Sequence, residues 1–209
     1  MADTSFIPLS GLHDRASDWF ARSHAALLGA LPCRRGCSRC CIGPFAITVF
    51  DARLLRQGLQ ALGPEAREDI EARAKRQVGA IERAFPRLAR SPFLDDWSDD
   101  DMDALAAAFD ESPCPALDAD GCCQVYAARP VTCRTMGIPA DNGGTVNGAC
   151  EIQTAVPIVR LPAVFREQED GLAEQEAREL AACQDTVRGG GEEFLLPYGF
   201  LPERAWTGF

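Results

Sequence analysis

Apolar side chains recur every three or four positions along much of this chain, a pattern that is typical of amphipathic helices. The first such segment predicts a helix over residues 12–30. A second helix is predicted to be capped by Asp51 and to stop at Gly63. Pro64 then opens a third helix that runs to Phe85, with acids early and bases late, the order that suits the helix dipole.

The remaining segments predict short strands, loops and one more long helix. Residues 44–50 and 154–162 have strand composition, and residues 163–183 are helical in pattern. The acidic stretch 91–103 predicts a loop before a short helix, and residues 139–150 predict another loop. The glycine-, proline- and aromatic-rich C-terminal tail predicts an irregular arm. The fold class that follows is mainly α with a few short strands.

Composition and charge narrow the function. The chain is 46% apolar and 25% charged, as in an ordinary soluble globular protein. Its net charge of -10 argues against binding to nucleic acid or to an anionic membrane surface. No apolar run approaches the roughly 18 residues of a membrane helix, and the N-terminal sequence has no secretory signal. We therefore expect a cytoplasmic protein whose partner is an unknown protein or redox partner, with no nucleic acid and no membrane.

Ten cysteines change this ordinary picture. Four of them fall within nine positions, at Cys33, Cys37, Cys40 and Cys41. In a reducing compartment such thiols are more plausibly metal ligands than disulfides, and the disulfide framework stays as an alternative. Adjacent side chains point to opposite sides of an extended chain. Cys40 and Cys41 therefore need a tight turn to share one ion, or they serve different ions or opposite walls of a cluster.

A second group contains Cys114, Cys123 and Cys133, which lie at loop edges marked by proline and glycine. Clustered thiols select zinc, cuprous copper or iron–sulfur. Thiols in this number exceed the four that one tetrahedral zinc ion uses, which favours more than one metal.

Arginines accompany both groups, although the chain as a whole is acidic. Arg34, Arg35 and Arg39 lie within the first group, and Arg129 and Arg134 lie around Cys133. Such arginines would offset the negative charge of a thiolate-bound metal and help to keep the thiolates deprotonated. The alternative is that these arginines simply face solvent. Their concentration around the cysteines does not distinguish zinc from iron.

The two groups together resemble the YkgJ-type cysteine-cluster family, the CxxCxxCC zinc- or iron-chelating domains. The resemblance rests on CRRGCSRCC followed by CPALDADGCCQVYAARPVTCR, spans residues 33–150, and departs from the family by one extra residue between Cys33 and Cys37. It implies eight ligands for the metal or cluster. These are Cys33, Cys37, Cys40, Cys41, Cys114, Cys123, Cys133 and Cys150.

Three residues near or outside this pattern need their own interpretation. Cys122 is adjacent to Cys123 and could substitute for it as a ligand. Cys183 is expected to pack as a small hydrophobe on the last helix. Tyr126, although part of the motif, is expected to be a core aromatic.

The domain prediction follows from these positions. We expect one compact domain over residues 1–209, organised around a cysteine-ligated metal site. Its cysteine-cluster core covers residues 33–150, flanked by an N-terminal helix (12–30) and by a C-terminal helix with an irregular tail (162–209).

The leading hypothesis for function is an iron–sulfur protein with one or more clusters, of [4Fe-4S] type, in a redox or cluster-dependent catalytic role. The resemblance implies a flagellin lysine N-methylase among the relatives, but the sequence shows no further signature of methyl transfer. The alternative is a zinc-binding structural or interaction module, in which the metal supplies folding free energy. No catalytic residue can be assigned, since no constellation of general base and nucleophile is evident.

A minor alternative is an enzyme like the radical S-adenosylmethionine enzymes. The C-x3-C-x2-C spacing of Cys33, Cys37 and Cys40 resembles theirs. Their partial barrel needs repeated strand–helix units, however, and the chain after residue 51 predicts mostly helix and loop.

Overall fold

The computed structural model describes residues 11–27, 36–138, 140–142, 145–147, 163–183 and 191–202, with the backbone alone for the two short segments between 140 and 147 and for Cys183. These residues form seven α-helices and four short strands, which confirms the mainly α class. The helices are α1 (Leu12–Ala26), α2 (Val49–Gln60), α3 (Pro64–Ala84), α4 (Asp99–Ala108), α5 (Val131–Thr135), α6 (Ala163–Cys183) and α7 (Leu196–Gly199). The strands are β1 (Ala46–Thr48), β2 (Ala140–Asn142), β3 (Thr145–Asn147) and β4 (Glu193–Leu195).

The strand predicted over residues 44–50 is shorter in the structure, because a helix cap interrupts it. The Thr48 hydroxyl accepts a hydrogen bond from the Asp51 N–H at 3.3 Å, and the Asp51 carboxylate accepts one from the Thr48 N–H at 3.4 Å. This reciprocal capping box ends β1 at Thr48 and begins α2 at Val49. The cap of α2 is therefore Thr48, and the prediction that Asp51 caps this helix is wrong.

Helices α3 and α6 confirm the predictions from helical periodicity. Pro64 opens α3, a position where its missing N–H costs nothing. Helix α4 begins earlier than expected, because the Ser98 side chain accepts a hydrogen bond from the Asp101 N–H. The acids of the predicted loop 91–103 thus form the first turn of α4, where they suit the positive end of the helix dipole.

The C-terminal tail differs most from its prediction as an irregular arm. Strand β4 pairs antiparallel with β1, with Ala46 opposite Leu195, and α7 follows directly. Phe194 and Tyr198 are fully buried there and contact each other edge to face. A second difference is the β2–β3 hairpin, which lies where a loop was predicted. The strand predicted over 154–162 lies outside the described residues.

Two hydrophobic clusters organise the described part of the chain. The larger one joins α2, α3, β1, β4 and α7. The smaller one joins α1, α5 and α6 around Trp19, Ile138 and Leu172. None of the helices described is long and apolar enough to cross a membrane.

Candidate metal centre

Cys40 and Cys41 of the first cysteine group lie on a tight turn. Arg39–Cys41 forms one turn of 3₁₀ helix, in which the Cys41 N–H donates to the Ser38 carbonyl at 2.8 Å. The turn brings the thiols of the adjacent Cys40 and Cys41 close enough to hydrogen-bond to each other. Two adjacent cysteines need a tight turn to share one metal centre, and this turn is present.

Backbone hydrogen bonds join the first cysteine group to the second. The Cys114 N–H donates to the Cys41 carbonyl at 2.8 Å, and the Gly43 N–H donates to the Ser112 carbonyl at 2.8 Å. Ile42 and Pro113 face each other in an isolated antiparallel bridge. Cys41 and Cys114 are thus held side by side by main-chain contacts that do not depend on their sulfur atoms.

A turn around Asp118 shapes the rest of the second group. One oxygen of the Asp118 carboxylate accepts hydrogen bonds from the Asp120 N–H at 2.9 Å and from the Cys122 N–H at 2.8 Å. The Asp118 N–H donates in turn to the Cys122 carbonyl at 2.9 Å. Gly121 completes the turn with φ 74°, a left-handed conformation that favours glycine. This turn places Cys123 opposite Leu117 in an isolated antiparallel bridge.

Cys133 is carried by α5, and α5 is anchored by a buried acid. The Asp51 carboxylate accepts hydrogen bonds from the Val131 N–H at 3.0 Å and from the His13 ring at 2.8 Å. Asp51 is 1% exposed. Nothing in the sequence indicates this role, because an acid at the start of a helix is an ordinary feature. Only the packing of α1 and α5 against α2 turns it into a support for Cys133.

Five of the described thiols lie close enough to influence one another electrostatically. The charges of Cys40, Cys114 and Cys133 raise the pKa of Cys41. The charge of Cys123 raises the pKa values of Cys114 and Cys133. The structure therefore brings members of both cysteine groups, and the helix α5, into one thiol-rich environment.

The protonation of these thiols differs. The pKa of Cys40 is lowered to about 6, first by the hydrogen bond from the Cys41 thiol and also by the charge of Arg129, although burial opposes both. The same hydrogen bond, with burial, raises the pKa of Cys41. Burial raises the pKa of Cys114 to about 12 and raises the pKa values of Cys123 and Cys133. A metal would have to displace protons from Cys41, Cys114, Cys123 and Cys133, as metal-bound thiols are deprotonated.

Arg129 is the arginine with the clearest relation to the thiols. Its positive charge lowers the pKa values of Cys40 and Cys123, and one of its NH groups donates to the Cys133 carbonyl at 3.2 Å. Arg39, by contrast, is exposed. Arg34 and Arg35 lie outside the described residues.

Arg134 has a structural role that the sequence did not indicate. It is buried, and its guanidinium donates to the Arg129 and Ala127 carbonyls and to the Ser17 hydroxyl of α1. These bonds fasten the turn before Cys133 to the N-terminal helix.

The prediction that Tyr126 is a core aromatic is wrong. Its side chain is 63% exposed, and the Arg129 guanidinium lies over its ring at 3.8 Å from the centroid. The two residues are three positions apart across a 3₁₀ turn (Tyr126–Ala128), so this stacking is available at the surface without burial.

The complete ligand set stays a prediction. Cys33 and Cys150 lie outside the described residues, and Cys183 is at the end of α6 without a described side chain. The other seven cysteines are free thiols, each half-buried: Cys37, Cys40, Cys41, Cys114, Cys122, Cys123 and Cys133. Within the described ranges, no group of three or more His, Cys, Asp or Glu side chains is arranged to hold a metal ion. The chemistry of the donors, thiols beside an arginine, nevertheless fits zinc or an iron–sulfur cluster.

Comparison with known proteins bears on the same segment. The family model CxxCxxCC, described as "Putative zinc- or iron-chelating domain", matches residues 32–151. This match covers both cysteine groups and more than half of the 209 residues. No curated protein matches the chain, and no solved structure matches it.

Proposed function

The chain belongs to the CxxCxxCC family of zinc- or iron-chelating domains, and we propose that the metal it binds is iron, in a cysteine-ligated iron–sulfur centre of [4Fe-4S] type. The proposed role is redox chemistry or cluster-dependent catalysis with a protein partner. The proposed ligands are the eight cysteines of the motif, of which Cys37, Cys40, Cys41, Cys114, Cys123 and Cys133 are described.

The observation that carries this proposal is the number of thiols in one environment. The charges of Cys40, Cys114 and Cys133 raise the pKa of Cys41, and the charge of Cys123 raises the pKa values of Cys114 and Cys133. A single tetrahedral zinc ion uses four thiolates, so a fifth neighbour favours a centre with more than one metal. The positive charge of Arg129 beside Cys40 and Cys123 suits the net negative charge of such a centre.

The second candidate is a zinc module with a structural or interaction role. The raised pKa values of Cys114 and Cys133 favour it as much as they favour iron, since zinc also displaces thiol protons. A zinc centre would be colourless and redox-inactive, which makes the two candidates separable in one preparation.

The deciding experiment is anaerobic purification followed by iron, sulfide and zinc analysis and a visible spectrum. We expect brown protein with about four irons per cluster and equal sulfide. Protein from iron-replete cells that is colourless and contains stoichiometric zinc alone would contradict the iron proposal and support the zinc module.

A matched pair of variants tests the ligand assignment. Cys123→Ser removes a proposed ligand, and we expect it to lose most of the bound metal. Cys183→Ser makes the same chemical change outside the motif, and we expect it to retain the metal. Equal loss from the two variants would contradict the ligand set.

A further inference from the structure

Tyr126 is the most exposed of the large apolar side chains in the part of the chain that the structure describes. It is 63% exposed, so its ring gains little from burial, and packing in the core does not explain its position. The ring is covered instead by the Arg129 guanidinium, whose central carbon lies 3.8 Å from the ring centroid. At this distance no water fits between the two groups. The role of Tyr126 is therefore to be sought in its contact with Arg129.

The turn that carries the stacked pair is fixed to the rest of the fold. Ala128, in the same 3₁₀ turn as Tyr126, is buried against Gly58 of α2, where a Cβ built on the glycine would lie only 2.3 Å from the Ala128 Cβ. After the turn, the Arg129 carbonyl accepts a hydrogen bond from the Arg134 Nε at 2.7 Å. The backbone below the pair is thus held by contacts that do not involve the cysteine sulfur atoms.

The stacked ring adds to two weak hydrogen bonds that hold the Arg129 guanidinium. Its Nε donates to the Tyr126 carbonyl at 3.3 Å, and one NH group donates to the Cys133 carbonyl at 3.2 Å. Both distances are at or beyond the long end of the usual range for N–H···O bonds. The ring supplies a further contact, because a cation is attracted to the negative face of an aromatic ring.

A neighbouring positive charge opposes the position of Arg129. Burial lowers the pKa of Arg134, and the charge of Arg129 lowers it further, so the two guanidinium groups repel each other. A carboxylate could hold Arg129 against this repulsion, but it would also cancel the positive charge. An aromatic ring attracts the guanidinium without adding a negative charge, and the charge stays available to other groups.

The charge held in this way acts on the thiols. The hydrogen bond from Cys41 dominates the pKa of Cys40, and burial dominates the pKa of Cys123, but the charge of Arg129 lowers both. A metal bound by several thiolates has a net negative charge, which a nearby positive charge stabilises. A guanidinium that left this position would withdraw that stabilisation.

We propose that Tyr126 is a positioning residue of the metal centre: its ring holds the Arg129 guanidinium beside the thiols and so slows the loss of the bound metal. The inference rests on the binding of a metal by the cysteines, and it applies to iron and to zinc, since both form negatively charged centres with thiolates.

The test is the rate at which 1,10-phenanthroline removes the metal from the anaerobically purified protein. This chelator is neutral, so its approach does not itself depend on the charge of Arg129. Tyr126→Ala removes the ring and should lose its metal about two- to fivefold faster, the factor that corresponds to an exposed cation–π contact. Tyr126→Phe keeps the ring and should lose its metal at the rate of the unmodified protein. An unchanged rate in Tyr126→Ala, or an equal acceleration in Tyr126→Phe, would overturn the proposal.

A double variant tests whether Tyr126 acts through Arg129. In Arg129→Gln no cation remains for the ring to hold, so the further change Tyr126→Ala should leave the rate of metal loss as it is in Arg129→Gln alone. Acceleration by the same factor with and without Arg129 would overturn the proposal, because Tyr126 would then act independently of the arginine.

Val164→Ala is the matched control for shortening an exposed apolar side chain. Val164 is 52% exposed and lies on α6, outside the cysteine motif. We expect its rate of metal loss to equal that of the unmodified protein. Equal acceleration by Val164→Ala and Tyr126→Ala would overturn the proposal, since it would indicate a general loosening of the fold. Circular dichroism checks that both variants are folded, as expected for changes at exposed positions.

Metal analysis before the chelator is added separates this inference from the proposed function. Full metal with equal rates in all variants would refute the role of Tyr126 alone. If the metal is zinc, the iron proposal fails, and faster loss of zinc from Tyr126→Ala than from Tyr126→Phe would still support the role of Tyr126. Unmodified protein that holds neither metal would contradict both.

Discussion

Asp51 connects the N-terminal helix to the helix that carries Cys133, and its removal is the sharpest test of this arrangement. Asp51 is 1% exposed, and its carboxylate accepts hydrogen bonds from the His13 ring at 2.8 Å and from the Val131 N–H at 3.0 Å. A third bond, from the Thr48 N–H, is longer at 3.4 Å. Asp51→Ala removes all three hydrogen bonds in one step.

The expected loss follows from the donors left behind. A buried donor without an acceptor costs about 1–3 kcal/mol, so the His13 and Val131 donors together predict a loss of about 4 kcal/mol in the free energy of unfolding. The long bond to Thr48 adds little. Domains are stable by only about 5–15 kcal/mol, so this single change would remove a large part of the total. Asp51→Asn keeps an acceptor oxygen, and we expect a smaller loss of about 1–2 kcal/mol.

Urea unfolding followed by circular dichroism measures both losses. The matched control is Asp101→Ala, because Asp101 occupies the same position of α4, three residues after the cap Ser98, but is exposed. We expect the control to cost less than about 1 kcal/mol, the contribution of an acid in a first helical turn. Equal losses for Asp51→Ala and Asp101→Ala would refute the role of Asp51 as a buried anchor.

Three further predictions concern other parts of the molecule. The pKa of Glu176 is raised to about 7, first by burial. The folded state therefore binds this proton more tightly than the unfolded state, and the protein loses stability as the pH rises from about 4.5 through 7. Glu176→Gln should raise the Tm at pH 8 and leave it unchanged at pH 4. In Gly58→Ala the new Cβ would lie 2.3 Å from the Ala128 Cβ, so urea unfolding should show that the free energy of unfolding falls by about 1–3 kcal/mol. In the control Gly79→Ala the nearest atom to the new Cβ is an Arg83 NH group at 3.5 Å, and we expect no loss of stability. The Arg129→Gln variant should lose its metal to a chelator faster than the Arg129→Lys variant, because lysine keeps a positive charge near the thiols. Equal rates of metal loss would contradict the electrostatic role of Arg129.

Local signals account for the elements that the sequence predicted. Helix α3 has a proline at its first position and apolar residues at helical spacing, and both signals lie within the helix itself. Strand β4 could not be recognised in this way. It has three residues and exists through pairing with β1, so its formation depends on a partner distant in the sequence.

In the candidate site, too, some features follow from local sequence signals and others depend on tertiary packing. The family resemblance implies that Cys40, Cys41 and Cys114 share a site, and in the structure Cys41 lies next to Cys40 in a tight turn and is joined to Cys114 by a main-chain hydrogen bond. The support provided by Asp51 could not be predicted, because it depends on the packing of three helices and leaves no pattern in the chain. Tyr126 misled the prediction because aromatic residues are usually buried, whereas this one is stacked by Arg129 at the surface.

The way in which the two cysteine groups meet affects what a metal has to contribute. In a small zinc domain no site exists before the metal binds, so its binding free energy is also folding free energy. In this chain Cys41 and Cys114 are joined by a main-chain hydrogen bond of 2.8 Å, and Asp51 fixes the start of the helix that carries Cys133. Two hydrophobic clusters supply folding free energy independently of any thiol. The metal therefore has less of the fold to organise than in a zinc finger, and more of its binding free energy remains to hold the metal itself.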